Sequence, residues 1–337
     1  SYNIRRGQTD AMTGEKVPRT FNEFFLDLTG LKDKKLAEIQ IFLKSRMVPD
    51  RELTLGEFEA HPDIVPELYA VKDADRDTER VTGLSPMGDF SEYTGTLAYD
   101  GQTQGYDVTE THKQFALGIQ IERTFYDDSQ FDVIDDLFKG LGRSAHKTRQ
   151  KHASRIFTSS FSNDTFFYTH SEAVALCSNS HTTTVSGVST ANGFDNLATG
   201  ALSPVSLTTM ITQFRKLRDL AGEPIDESPT ELWIPIDLQD RAGEIIKTVE
   251  GLDTSSGTKN PHYQRLTVKP WVRLTDVNDF WLTSEKLRKD SLRWYERIPL
   301  EIAKMESFDQ FIAKGRAYMR YGVLYRYHQF VVGAQVT

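Results

Sequence analysis

One cysteine, Cys177, in 337 residues leaves no internal disulfide, so nothing in the chain asks for an oxidising compartment. No apolar run approaches the ~18 residues of a membrane-spanning helix, and the polar opening Ser1–Arg6 has no signal-peptide core. Excess charge of one sign is missing as well. The 48 acidic and 40 basic residues give a net charge of −8, which suits solubility and excludes a global electrostatic footprint for nucleic acid. Catalytic signatures are equally scarce. There is no G-x-x-x-x-G-K-[ST] loop, Gly140-Leu141-Gly142 lacks the third glycine of a dinucleotide fingerprint, and Gly187-Val188-Ser189 lacks the closing glycine of a nucleophile elbow. His170-Ser171-Glu172 echoes the H-x-E of zinc deaminases, but one cysteine cannot supply their P-C-x-x-C. His170, Cys177 and His181 unite a thiolate with two imidazoles, a set able to bind zinc, yet no fourth ligand sits at a recognisable spacing. These absences predict a soluble chain made in the cytoplasm, with no catalytic residue, no cofactor and no metal.

What the chain does have is period. Phe115, Leu117, Ile119 and Ile121 alternate with Ala116, Gly118, Gln120 and Glu122, the mark of a half-buried strand. Upstream, the polar and aromatic Asp89–Tyr99 is expected to be the outgoing leg of a ribbon, turning at Asp100-Gly101 and Gly105. Legs of about 12 to 15 residues would project roughly 40 to 50 Å, and a lone hairpin of that reach is marginal in water. It needs another surface, most simply a second copy of the chain.

A helix follows from near Asp127, with Ser129 a candidate cap. Ile134, Phe138, Leu141, Ala145, Thr148, His152 and Ile156 form one stripe along it, over roughly 45 Å. Asp127, Asp128, Asp132, Asp135 and Asp136 precede Lys139, Arg143, Lys147, Arg149, Lys151 and Arg155, which complements the helix dipole. The basic run reads as a solvated face, with packaged nucleic acid or a neighbouring acidic surface as the alternatives.

Elsewhere the pattern is mixed α+β. Ser1–Thr20 reads as a loose arm and Asp33–Arg46 as an amphipathic helix. Ser162–Pro204 is too long for an ordinary connection. Ser206 is expected to head a helix buried through Leu207, Met210, Ile211 and Phe214 and stopped by Gly222. Glu231–Ile236, Arg265–Leu274 and Phe280–Leu282 read as strands, with a helix between the first two that buries Ala242, Ile245, Ile246 and Val249. In the C-terminal block Phe311, Ala313, Gly315, Ala317, Met319 and Tyr321 share one face, Gly322 interrupts, and Val323–Val332 resumes as a strand. Tyr318, Tyr321, Tyr325, Tyr327 and His328 with Arg316, Arg320 and Arg326 form the densest aromatic and basic cluster. It could stack bases or simply cover a sheet.

Taken in order, these segments resemble the major capsid proteins of tailed bacteriophages with the HK97-like fold, most closely the Mu-like major head subunit family. The resemblance rests on Thr109–Arg123, Phe131–Arg155 with Leu141-Gly142-Arg143-Ser144-Ala145, and Ala175–His181. Asn196–Ser203, Pro229–Lys247 and Arg320-Tyr321-Gly322-Val323 complete it. It implies an N-terminal arm and short helix at 1–70 and an extended β-hairpin loop with its base at 71–126. A spine helix and connecting loop of the peripheral domain follow at 127–204, then an axial domain at 205–297. C-terminal strands at 298–337 would return to the peripheral sheet. It also implies a structural, non-enzymatic subunit that self-assembles as hexamers and pentamers into an icosahedral shell around double-stranded DNA in the virion. The expected partners are sister copies, a portal, and scaffolding or decoration proteins, without a membrane. Some relatives crosslink an extended-loop lysine, and Lys113 is the only lysine in the ribbon, but no asparagine is marked as its partner. An encapsulin-like protein compartment shares the fold and is the first alternative. A hydrolase or metal enzyme built on His170, Cys177 and His181 is the second.

Overall fold

The computed structural model describes residues 50–336, apart from 91, 96, 98, 100, 250–258 and 308–311. The expected arm Ser1–Thr20 and helix Asp33–Arg46 lie outside the described residues. The chain divides into Ser1–Leu53 and Thr54–Thr337, and the second unit holds the architecture.

Residues 50–60 are helical (α1). Then come α2 (Val65–Leu68), β1 (Ala70–Asp73), β2 (Thr78–Leu84), β3 (Gln104–Thr111), β4 (Lys113–Glu122), α3 (Arg123–Asp127) and the 28-residue α4 (Phe131–Thr158). β5 (Tyr168–His170), β6 (Leu197–Ala198), α5 (Pro204–Arg215), β7 (Glu231–Ile234) and α6 (Gln239–Lys247) follow. The chain ends with β8 (Thr267–Pro270), β9 (Phe280–Thr283), α7 (Glu285–Ser291), β10 (Leu292–Ser307), β11 (Ile312–Tyr325) and β12 (Val331–Ala334).

The described residues form three sheets. A four-stranded sheet runs β1-β10-β11-β4, a five-stranded sheet β6-β12-β9-β7-β8, and a three-stranded sheet β2-β3-β5. The alternation read in the C-terminal block holds: Ala313, Gly315, Ala317, Met319 and Tyr321 of β11 are all buried. The small Ala313, Gly315 and Ala317 let α4 lie close, and a Cβ on Gly315 would sit 3.0 Å from Phe138 of that helix. The far end of α4 reaches the five-stranded sheet, where Phe157 lies 5.4 Å from Trp233 and 5.3 Å from Trp281 between ring centroids. One helix thus shares its apolar stripe between two sheets.

Several expectations are corrected. Asp89–Tyr99 is not a strand among its described residues; β3 pairs instead with β2, Val81 opposite Val108, and β4 leaves the ribbon to pair with β11. Ser129 does not cap α4 but takes a left-handed conformation (φ 56°), and Gln130 precedes the first turn. The inward stripe of α4 drifts from Thr148 and His152 to Arg149, Gln150 and Ala153, because Arg149 has half-buried acids to meet. Its guanidinium binds Asp63 at 3.0 Å and Glu296 at 2.8 Å. With Lys139 on Asp136, Arg143 on Glu57 and Arg155 on Asp164, four of the six bases in the run are spent within the chain. Helix α5 starts two residues early, with Ser203 as its cap and Ser206 closing the reciprocal capping box. It ends at Arg215, well before Gly222. Val249 is exposed and not inward. Strand β11 runs straight through Gly322. Finally, the last strand does not return to the four-stranded sheet: β12 pairs with β9 and β6 in the other sheet, where Val332 and Ala334 complete the apolar core around α5.

Two glycines of α4 give opposite predictions. A Cβ on Gly142 would meet the backbone oxygen of Thr54 at 2.4 Å, whereas Gly140 has nothing within 4 Å. Gly140→Ala should therefore stabilise the fold by up to about 1 kcal/mol through helix propensity. Gly142→Ala should destabilise it by about 1–3 kcal/mol through overpacking. Urea denaturation of both variants checks this, and equal effects would contradict the close crossing at Thr54.

Candidate assembly surfaces

The hairpin β2–β3 is firm at its base. Ser85 N donates to the Thr103 carbonyl at 2.9 Å and Thr103 N to Ser85 Oγ at 2.9 Å, closing the last rung. Asp107 takes hydrogen bonds from Arg80 and, at 2.7 Å, from Thr82, which hold its carboxyl below the usual range. Tyr106 Oη lies 2.5 Å from Thr182 Oγ1, and Tyr327 Oη accepts from Leu84 N at 3.3 Å. Gly105 is needed here, since a Cβ would come within 2.7 Å of Leu220 and 3.2 Å of the Gly83 backbone.

Beyond that rung the character changes. None of the described residues between 86 and 103 is in a helix or strand. Met87, Phe90, Tyr93, Leu97 and Tyr99 are exposed, Phe90 completely and Tyr99 at 91 %. A run of large apolar side chains on a projecting tip is the sort of surface that marks an interaction site. The four-stranded sheet adds another: β4 is an edge strand, and Leu117 on it is half exposed.

The hairpin joins the body through Glu110 and His112. Both side chains are buried completely, with Glu110 Oε2 2.9 Å from His112 Nδ1. A Cβ on Gly322 would lie 1.3 Å from Glu110 Oε1, so glycine is what admits this carboxyl beneath β11. Burial, with the Glu79 charge adding to it and Arg320 opposing, pushes Glu110 up to about 8. Burial also holds His112 below its ordinary value. The pair is neutral in the fold, a carboxylic acid beside an unprotonated imidazole. Unfolded, Glu110 ionises near 4.5; folded, near 8, so across that window the unfolded chain binds fewer protons and stability falls as pH rises. His112 works oppositely, adding stability as pH rises through 6.5. Glu110→Gln removes only the first contribution, so its stability should fall less steeply than the parent's between about pH 5 and 8. Urea titrations across that range measure both slopes, and identical slopes would contradict the assignment.

The sequence-flagged chemistry is dispersed. Cys177 is buried under Gly333, whose Cβ would lie 2.7 Å from its sulfur, and burial pushes the thiol up to about 12. His170 stacks on Tyr325 at 5.1 Å and accepts from Glu172 N at 3.3 Å. His181 instead meets Glu172 and His328, a grouping that sequence reasoning missed because His328 lies far along the chain. Tyr321, Tyr325 and His328 are buried, and Arg320 binds Asp77 at 2.5 Å, so the aromatic and basic cluster is split between core and surface. Lys113 lies over the Phe166 ring at 4.1 Å, anchored to the body and away from the tip. Ser162–Pro204, too long for an ordinary connection, is held by its own chain: Asn196 Nδ2 donates to Leu176 O at 2.8 Å and Val331 O at 3.1 Å.

A long helix across one sheet, a second sheet with its own helices, and a projecting hairpin with an apolar tip define an HK97-like shell subunit, built to be completed by copies. Solved structures agree with the fold. The chain is similar to a subunit of the bacteriophage PhiM1 mature capsid, at 12 % identity and a TM-score of 0.51 over 80 % of this chain and 85 % of that one. It is also similar to the procapsid subunit of bacteriophage JBD30 (13 %, 0.49, 88 % and 75 %) and to the capsid of a native GTA particle (14 %, 0.47, 79 % and 87 %). No curated protein matches it. The family profile described as phage capsid protein matches residues 105–332, and the chain belongs to that family. It is a structural major capsid protein, and its place is the virion shell.

Proposed function

We propose that this subunit closes an icosahedral shell of hexamers and pentamers around double-stranded DNA by laying its hairpin tip on neighbouring copies, with no catalytic step. The exposed tip at Met87, Phe90, Tyr93, Leu97 and Tyr99 carries the reading, because so much apolar surface on a projection is costly unless sister subunits cover it. Within this scheme 71–126 serves as the extended loop and its base, 127–204 as the spine and its loop, and 205–297, extended by β12, as the axial domain. Residues 1–70 serve as the N-terminal arm and short helix. A portal and scaffolding or decoration proteins complete the particle. The ordered segments from Thr109 to Val323 support a place among Mu-like head subunits.

The deciding test is the content of the particles. Purified shells treated with nuclease should retain protected double-stranded DNA. Shells filled with a protein cargo would favour the compartment reading instead.

A further inference from the structure

Strands β3 and β4 belong to different sheets, yet only His112 separates them: Thr111 closes β3 in the three-stranded sheet and Lys113 opens β4 in the four-stranded one. The hairpin therefore turns off the body at one residue, and the buried Glu110 and His112 sit at that turn. In register Glu110 lies between Glu79 of β2 and Tyr168 of β5, so the middle strand of the three-stranded sheet is the one pressed beneath Gly322 of β11.

No donor among the described residues makes a hydrogen bond to either carboxyl oxygen of Glu110, and its close polar neighbour, His112 Nδ1, belongs to a neutral imidazole. A neutral acid is tolerated there, whereas a carboxylate would have nothing to replace its water. The groups facing the pair do not supply it. Glu79 of β2 repels a second negative charge, and Arg320 of β11, which opposes that effect, is engaged at 2.5 Å with Asp77 just ahead of β2. Strand β10 brings Arg297, which with Arg320 disfavours an imidazolium at His112, and the Tyr295 ring at 6.3 Å from the imidazole. Burial keeps the Tyr168 phenol of β5 neutral, Lys113 of β4 lies over Phe166, and Asp107 on β3 itself is held by Arg80 and Thr82.

We propose that Glu110 is a proton-controlled latch at this turn: while it carries its proton the three-stranded sheet stays clamped beneath β11, and its ionisation lets the hairpin come away from the four-stranded sheet as a unit. The latch belongs to the single chain, so it stands or falls independently of what the tip docks on. In a shell it would set how freely the hairpin adjusts its angle to a neighbour, a use that rests on the docking role given to the tip.

The sign follows from the two groups. Opening returns Glu110 from about 8 to its ordinary 4.5, so opening becomes easier as pH rises toward 8. His112, held below 6.5 when clamped, makes opening harder as pH rises to that value and adds nothing above it. Between about pH 6.5 and 8 Glu110 acts alone, and opening should gain about tenfold per pH unit.

Amide hydrogen exchange of the full chain, read by mass spectrometry and corrected for the intrinsic pH dependence of exchange, measures this opening. Thr78–Leu84 and Gln104–Thr111 should be less protected than α4 at every pH, and their protection should fall about thirtyfold from about pH 6.5 to 8. Glu110→Gln should hold one level of protection across that range. Should this variant fail to fold, Glu79→Gln decides, because removing the repulsion should bring the fall to its plateau at a lower pH. Protection equal to that of α4 would place the opening in global unfolding and overturn the proposal. So would constant protection in the parent, the result expected if Arg320 turned from Asp77 to neutralise the carboxylate in place. A fall as steep in Glu110→Gln as in the parent, or an unmoved plateau in Glu79→Gln, would overturn it equally.

Discussion

Serine in place of Phe90, Tyr93 and Tyr99 should abolish closed shells while leaving the protomer folded. All three are exposed on the hairpin tip and contribute little to the packing of their own chain. Covering each one on a neighbour would contribute about 1.5–3 kcal/mol. Losing three removes roughly 4–9 kcal/mol per subunit, a weakening of association on the order of 10³-fold or more. Protomer stability should change by no more than about 0.5 kcal/mol, as expected for exposed positions. Sedimentation velocity and thermal unfolding of the triple variant measure the two effects separately. Shells forming at the parent's concentration would contradict the role of the tip.

The largest effect on the fold itself should come from Arg288→Met. Arg288 is buried completely, and its Nε and Nη2 each lie 3.0 Å from Glu231 carboxylate oxygens. That carboxylate also accepts from Trp233 Nε1 and Thr283 Oγ1, both at 3.1 Å, while Arg288 Nη1 donates to the carbonyls of Glu67 and Leu68. One guanidinium thus joins α2, α7 and β7, and through Glu231 it reaches β9. Removing it strands a buried carboxylate, which costs about 3–5 kcal/mol against a typical total of 5–15 kcal/mol. Replacing Glu231 with Leu in the same chain should recover a good part of the loss, since neither charge is then left unpaired. Urea denaturation of the single and double variants reads this directly. A loss below about 1 kcal/mol for Arg288→Met would show that the pair is not what holds these elements together.

What the sequence made legible was periodicity, and what it hid was interruption. The faces of β11 and the existence of α4 follow from repeats of two and of three to four residues that the packing respects. Strand β10 escaped notice because its register shifts between Glu296 and Ile298 and again between Ile298 and Glu301, which breaks the alternation around Pro299. Both legs of the expected ribbon were misplaced: the alternating Phe115–Glu122 is β4 and pairs with β11, while the outgoing leg Thr78–Leu84 shows a weaker apolar pattern than the aromatic Asp89–Tyr99. Arg149 was assigned to solvent by its charge, though Asp63 and Glu296 draw it inward. Glu172 and His181 sit in the segment already suspected of metal chemistry, but their third partner, His328, is brought to them only by tertiary folding.

Electron microscopy of the purified full chain over a range of concentrations tests most directly whether the protomer is completed only by its sisters. The account predicts uniform closed shells in which the tip at residues 86–103 lies against a neighbouring subunit. A monodisperse monomer at every concentration, with that tip folded onto its own body, would contradict it.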